Sequence, residues 1–195
     1  MEPRPAATVI LVREADAGPE VLVLRRGASQ RFLPGYVAFP GGAVDPGDAD
    51  LAARWFGSPA EVARACAVRE LAEEVGIALT AAGPRAVDAP LAAVHAAPPA
   101  ASSLAHIASL VAPPRIPIRF DARFFAAVAP SGVEPTPDGA ETERAWWARP
   151  ADLLVPGAHD LFPPTRAVLG ALAGCADVAS ALTVWVDTDE EAIAP

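Results

Sequence analysis

Lysine is missing from this chain of 195 residues. Its cations are arginines, outnumbered by acids to give a formal net charge of −9. An acidic chain without basic runs makes a poor surface for nucleic acid or anionic membrane, so neither is expected as a partner. Long apolar runs are also missing, none nearing the ~18 residues of a membrane span. The start, MEPRPAATVILVREAD, has an acid at Glu2 and an apolar run short enough to be a strand, which excludes a signal peptide and points to a cytoplasmic protein. Cysteine is scarce: Cys66 and Cys175 lie far apart and fit no zinc spacing, so both read as reduced packing residues. His95, His106 and His159 are isolated and read as packing or surface residues.

What remains is 52% apolar, enough for one domain over residues 1–195 with a real core. AATVILVRE and EVLVLRR are β-branched runs joined through the turn-former ADAGP, a pair of adjacent strands. GYVAFPGG reads as a further strand ending in a glycine pair. DPGDADLAARWFG supplies a short amphipathic helix stopped by Gly57. Ser58, Pro59 and Glu61 form a capping box that starts a second helix, running to Val75 with Gly76 as its C-terminal cap. Residues 80–115, rich in Ala and Pro, read as a lid or insertion with one helix at SSLAHIASLV. IPIRFDARFFAAVA is a strand with Phe124 and Phe125 in the core. AWWARPADLL is a strand passing into a helix, and one tryptophan of its pair is expected in a cleft. Residues 160–195 form a helical extension through PPTRAVLGALAG; LTVWVD is a strand or its end, and TDEEAIAP is frayed.

The second helix carries an electrostatic problem. Val68, Leu71, Ala72 and Val75 repeat at i, i+3, i+4, i+7 and form its packed face. Glu70, Glu73 and Glu74 gather on the other side, near a C-terminus that already bears partial negative charge. Like charges at these spacings repel by roughly 0.2–0.5 kcal/mol per pair, and the helix end adds perhaps ~0.3–1 kcal/mol per anion. A hard divalent cation would relieve that repulsion, because Mg²⁺ and Mn²⁺ take carboxylate oxygens and bridge to phosphates. A solvated acidic face is the plainer alternative.

The surrounding residues decide between them. Arg69, Glu70, Leu71, Glu73, Glu74, Gly76 and Ile77 match the second half of the NUDIX box, G-x5-E-x7-R-E-U-x-E-E-x-G-U with U aliphatic, and Gly42 matches its first glycine. The chain thus resembles the NUDIX hydrolases. It departs from them at Asp48, which stands where the box has Glu, and in the spacer to Arg69, lengthened by an insertion that includes residues 49–57. Upstream, LVLRRGASQRFLPGYVAFPGG resembles the signature of the coenzyme A diphosphatases of that superfamily. Arg26, Arg31, Gly35, Phe39, Pro40, Gly41 and Gly42 fall in register; Leu24 replaces a threonine and Gly27 a small Ser or Ala.

The resemblance implies an α/β protein, an α/β/α sandwich around a mixed sheet with a helical C-terminal extension. It implies hydrolysis of a nucleoside diphosphate linked to another group, with Mg²⁺ or Mn²⁺ held by Glu70, Glu73, Glu74 and the Gly41 carbonyl. Arg69 would orient the glutamates, Glu141 or Glu143 would supply the general base, and Arg26 and Arg31, with Gly35, Phe39 and Gly42, would receive the substrate. Coenzyme A or acyl-CoA is the first substrate expected, split to 3′,5′-ADP and 4′-phosphopantetheine. A broad ADP-ribose, NADH or nucleotide-sugar pyrophosphatase is the second reading, and a non-catalytic nucleotide sensor the third. A homodimer is an open expectation.

Overall fold

The computed structural model describes residues 2–30, 32–112 and 119–186. Arg31 and the tail TDEEAIAP therefore lie outside the described residues.

Strands β1 (Arg4–Arg13) and β2 (Glu20–Arg26) form the expected antiparallel pair. They meet only near the turn, at Val12↔Val21 and Arg13↔Glu20, and then diverge. Two short strands fill the wedge: β3 (Val37–Ala38) pairs with β2, and β4 (Gly41–Ala43) with β1. The single strand expected over GYVAFPGG is thus two. Pro40 has no N–H to continue a ladder, and its carbonyl accepts from the Val9 N–H as the chain changes partner.

Helix α1 (Asp48–Phe56) ends at Gly57, whose φ of 74° suits glycine. A single 3-10 turn, Pro59–Glu61, precedes α2 (Val62–Val75). Ser58 caps that turn by accepting from the Ala60 N–H, but the other half of the expected capping box is not formed, because Glu61 turns to Arg64. Beyond α2 come a hairpin of β5 (Ile77–Thr80) and β6 (Gly83–Ala86), helix α3 (Pro90–Ala96), and strand β7 (Ala105–Val111). The helix expected over SSLAHIASLV is therefore a strand. Its alanines favour helix, but it pairs antiparallel with β8 (Phe120–Val128), burying Ile107, Ala108 and Leu110, and tertiary pairing outweighs propensity. Residues 80–115 thus supply a strand of the central sheet as well as surface elements.

Strand β9 (Thr142–Ala148) completes the mixed sheet, in which β1 and β8 run parallel from Arg4↔Phe120 to Val12↔Val128. Helices α4 (Pro150–Leu153), α5 (Pro163–Ala173) and α6 (Val178–Thr183) follow. Past α6 the chain is extended, and the Val186 N–H donates to Ile107 O, so residues 182–186 of LTVWVD are helix end and then β7 neighbour, its last residue lying outside the described ones.

Two cores flank the sheet. One packs α1 and α2 on Leu11, Leu22 and Phe125; the other packs α5 and α6 on Ile10, Val23 and Phe124. Phe124 and Phe125 are both buried, on opposite faces, as strand alternation requires. The insertion helix belongs to the first core: Ala52 and Trp55 are buried, and the Trp55 indole N–H donates to His95 Nδ1 on α3.

Candidate active site

The glycine pair brings strand β4 against helix α2. A Cβ on Gly42 would collide with the Glu70 carboxylate, and one on Gly41 would meet the Ala7 carbonyl and Thr8. Only glycine permits so close an approach. The Gly41 N–H then donates to Glu74 Oε2 at 2.9 Å. Glu74 is 4% exposed, so the carboxylates do not share an open helix face as expected; α2 is covered on this side by the glycine strand. Glu70 is partly buried, and the Glu73 side chain remains 46% exposed.

Arg69 organises the cluster. Its Nη1 lies 2.8 Å from Glu70 Oε1 and 2.8 Å from Glu73 Oε2, while Nε and Nη2 grip both oxygens of Asp48 at 2.8 and 3.0 Å. Asp48 is fully buried at the start of α1 and also accepts from the Asp45 N–H. The bidentate fork is arginine geometry that lysine does not reproduce. Asp48 could have been picked out from its place six residues after Gly42, the position of the box glutamate; nothing in its spacing to Arg69 said that the lengthened chain returns.

Glu70 and Glu74 open into a cleft of about 380 Å³, which Glu73 and Asp48 do not line. Glu70, Glu74, Asp45, Gly41 and Gly42 line one end, and Glu141 reaches the same space from the loop before β9. Gly27 lets that loop approach, since a Cβ there would sit 2.8 Å from the Ala140 carbonyl. Glu143, exposed on β9, does not line the cleft, and neither tryptophan of the pair does. Trp146 and Trp147 point to opposite faces, Trp147 donating to Val133 O and Trp146 packing near His159. Phe39 lines the cleft. Gly35, at φ 78°, closes the loop above it, its N–H donating to Arg26 O. Arg26 also lines the cleft, but its Nε donates to Phe32 O at 3.0 Å and its Nη2 to Gln30 at 3.2 Å. The guanidinium expected on a phosphate thus fixes its own loop. Missed in the sequence were the rings of Phe32, Phe120 and Phe162, which meet edge to face at the other end of the cleft.

Burial pushes the Glu74 carboxyl up to about 8, with Glu70 and Glu141 raising it further and the Gly41 N–H opposing. Burial also raises Glu70, against the pull of Arg69. The Cys66 thiol, beside the Gly42 and Ala43 carbonyls, is raised by burial and by Asp48, and so stays protonated. Among the described residues, no three acidic or soft side chains are gathered about one coordination point, because Glu70 is turned to Arg69 and Glu74 to Gly41. The donor chemistry nonetheless fits a hard divalent cation: carboxylate oxygens, neither thiolate nor imidazole, and negative charge that the low-dielectric site leaves unbalanced.

A pH dependence follows. A carboxyl whose folded pKa lies near 8 and whose ordinary value is 4.5 binds its proton more tightly in the folded state. Its stabilising contribution is whole below pH 4.5 and is lost as pH rises through 8. In EDTA, the Tm of the native protein relative to Glu74→Gln should fall steadily from pH 5 to 8, and Mg²⁺ should flatten the fall. A constant difference between the two proteins across that range would contradict the burial of this charge.

A sequence model of the NUDIX domain matches residues 2–168. The crystal structure of a NUDIX hydrolase from Alicyclobacillus acidocaldarius is 35% identical, covers 96% of this chain and 99% of its own, and superposes with a TM-score of 0.81. A MutT NUDIX hydrolase from Burkholderia pseudomallei shares the fold, at 22% identity, a TM-score of 0.54, and coverage of 87% and 98%. Nudix hydrolase 7 of Caenorhabditis elegans is 40% identical over 80 residues, which is 41% of this chain but 24% of that protein, so the likeness spans about a quarter of the relative's length.

Proposed function

The chain belongs to the NUDIX family, hydrolases of the pyrophosphate in nucleoside diphosphate derivatives, and from that premise we propose that it splits coenzyme A or a close analogue to 3′,5′-ADP and 4′-phosphopantetheine. One observation carries the substrate choice. The segment that resembles the coenzyme A signature forms a wall of the cleft, through Phe32, Leu33, Tyr36, Phe39, Gly41 and Gly42, facing Glu70 and Glu74.

Glu70, Glu74 and, from outside the cleft lining, Glu73 would hold Mg²⁺ or Mn²⁺, with the Gly41 carbonyl as a further oxygen. A bound divalent cation supplies neutralisation of the pyrophosphate oxygens and a lowered pKa for water. Arg69 pairs with Glu70 and Glu73 and fixes their direction. Glu141, on a loop whose Asp138 holds the Glu141 and Thr142 N–H groups, is the base that takes a proton from the attacking water. Glu143, facing solvent, is the weaker candidate for that role.

A second reading has its own support. Among the described residues lining the cleft, Arg26 is the lone cation and its guanidinium is engaged in its loop, which favours substrates without a 3′-phosphate, such as ADP-ribose or NADH. The two readings part on kcat/KM for coenzyme A, dephospho-CoA and ADP-ribose. A charge-assisted contact is worth roughly 1.5–3 kcal/mol, so a 3′-phosphate bound by Arg31 should favour coenzyme A by about ten- to a hundredfold. Arg31→Ala should erase that preference and leave ADP-ribose unaffected. Equal rates on all three would reject coenzyme A in favour of the broader pyrophosphatase.

A further inference from the structure

We infer that the half of the cleft away from the carboxylates holds the nucleobase by apolar contact alone, so that the enzyme does not discriminate among bases. The inference rests on the hydrolase reading only in that a nucleotide enters the cleft. Its basis is the register of the sheet. Ala43 pairs with Ala6, Ala6 with Ala122, and Ala122 with Leu110. Paired residues share a face, and all four line the cleft.

They form a floor across four strands. At ~4.8 Å between neighbours it runs about 14 Å, from the glycine pair beside Glu70 to Leu110. The small side chains leave depth above the sheet, and Phe32, Phe120 and Phe162 wall the far part. That span suits one nucleoside reaching away from a pyrophosphate at the carboxylates, and it is short for a pantetheine-length arm.

The floor and these rings carry no hydrogen-bonding side chain. Among the described residues lining the cleft away from the carboxylates, the hydroxyls of Thr8, Tyr36 and Thr165 are the polar functions nearby, Thr8 at the glycine-pair end opposite Gly41, and Arg26 is held by Phe32 O and Gln30. Sites that read polar edges discriminate by about 10⁴–10⁵, whereas apolar pockets manage about 10–200. Every base has a π-face, so ring contact tolerates all of them.

The test is calorimetric binding of AMP, GMP, CMP, UMP and base-free ribose 5-phosphate to the full chain with Mg²⁺. The four mononucleotides should bind within about tenfold of one another, and at least about tenfold more tightly than ribose 5-phosphate. Ala122→Leu, which fills the floor, should bring the mononucleotides to the level of ribose 5-phosphate and leave ribose 5-phosphate unchanged. Phe162→Ala, which removes wall without crowding the sheet, should weaken the mononucleotides in the same direction. A preference above about a hundredfold for one base overturns the inference, as does ribose 5-phosphate binding as well as AMP, binding of none of them, or no effect of either variant. Failure of the hydrolase reading shows separately, as absence of metal-dependent turnover in a protein that still binds mononucleotides.

Discussion

Glu74→Gln is expected to lower kcat/KM by more than about a hundredfold, beyond the roughly 10–100-fold lost when outer partners of a metal site are removed. The substitution touches little else. Glutamine keeps an oxygen for the Gly41 N–H, and no core side chain changes volume. What disappears is the negative charge that a hard cation needs, in the most deeply buried of the three box carboxylates. The same change relieves repulsion from Glu70 and Glu141, so above pH 7 in EDTA the variant should unfold at a higher temperature than the native protein. Mg²⁺ should raise the Tm of the native protein and not that of the variant. Near-native turnover at saturating Mg²⁺ would reject the proposed place of Glu74 at the metal.

Arg69→Met should produce the largest loss of stability. It leaves Asp48 fully buried with no cation against it, and breaking a buried pair on one side costs about 3–5 kcal/mol. For a chain of this size that is roughly 10 °C in Tm. The double variant Arg69→Met/Asp48→Leu should recover much of the stability, because a buried pair replaced by apolar groups is often neutral. It should not recover turnover, since Glu70 and Glu73 would still lack the guanidinium that orders them. Thermal melts and kcat for the singles and the double decide the matter. Losses that simply add would show that Asp48 and Arg69 act independently.

The pair also changes how the insertion is understood. A helix with its own cap signals, placed between turn formers, is expected to be removable. In the fold its first residue is the buried partner of the box arginine, and Trp55 is a core residue tied to His95. Excision of residues 49–57 would remove Trp55 and the helix whose first residue is Asp48. Sequence pattern carried the local facts, namely a helix over 49–56, its glycine stop, and the carboxylates on α2. It could not carry where a chain lengthened between Asp48 and Arg69 comes back to, because that is set by packing against α2 and α3. SSLAHIASLV failed for a related reason: a short Ala-rich run has no decisive period, and the open edge of β8 chose for it. Arg26, expected on a substrate phosphate, lines the cleft with its guanidinium bonded to the Phe32 carbonyl and Gln30, which no motif states.

The parallel ladder between β1 and β8 has a consequence in time. Residues 4–12 find their partners at 120–128, so the floor of the cleft joins two stretches separated by most of the domain. Closing so long a loop precedes any reward from the contacts it makes, which slows folding in proteins dominated by distant pairings. On the ribosome, β1 must wait with one edge open until more than a hundred further residues have been made. Helices α1 and α2, which pack on each other and on the already made β1 and β4, can form during that wait. The carboxylate helix should therefore be assembled before the groove it faces, and the carboxylate end of the cleft should exist, briefly, without its apolar half.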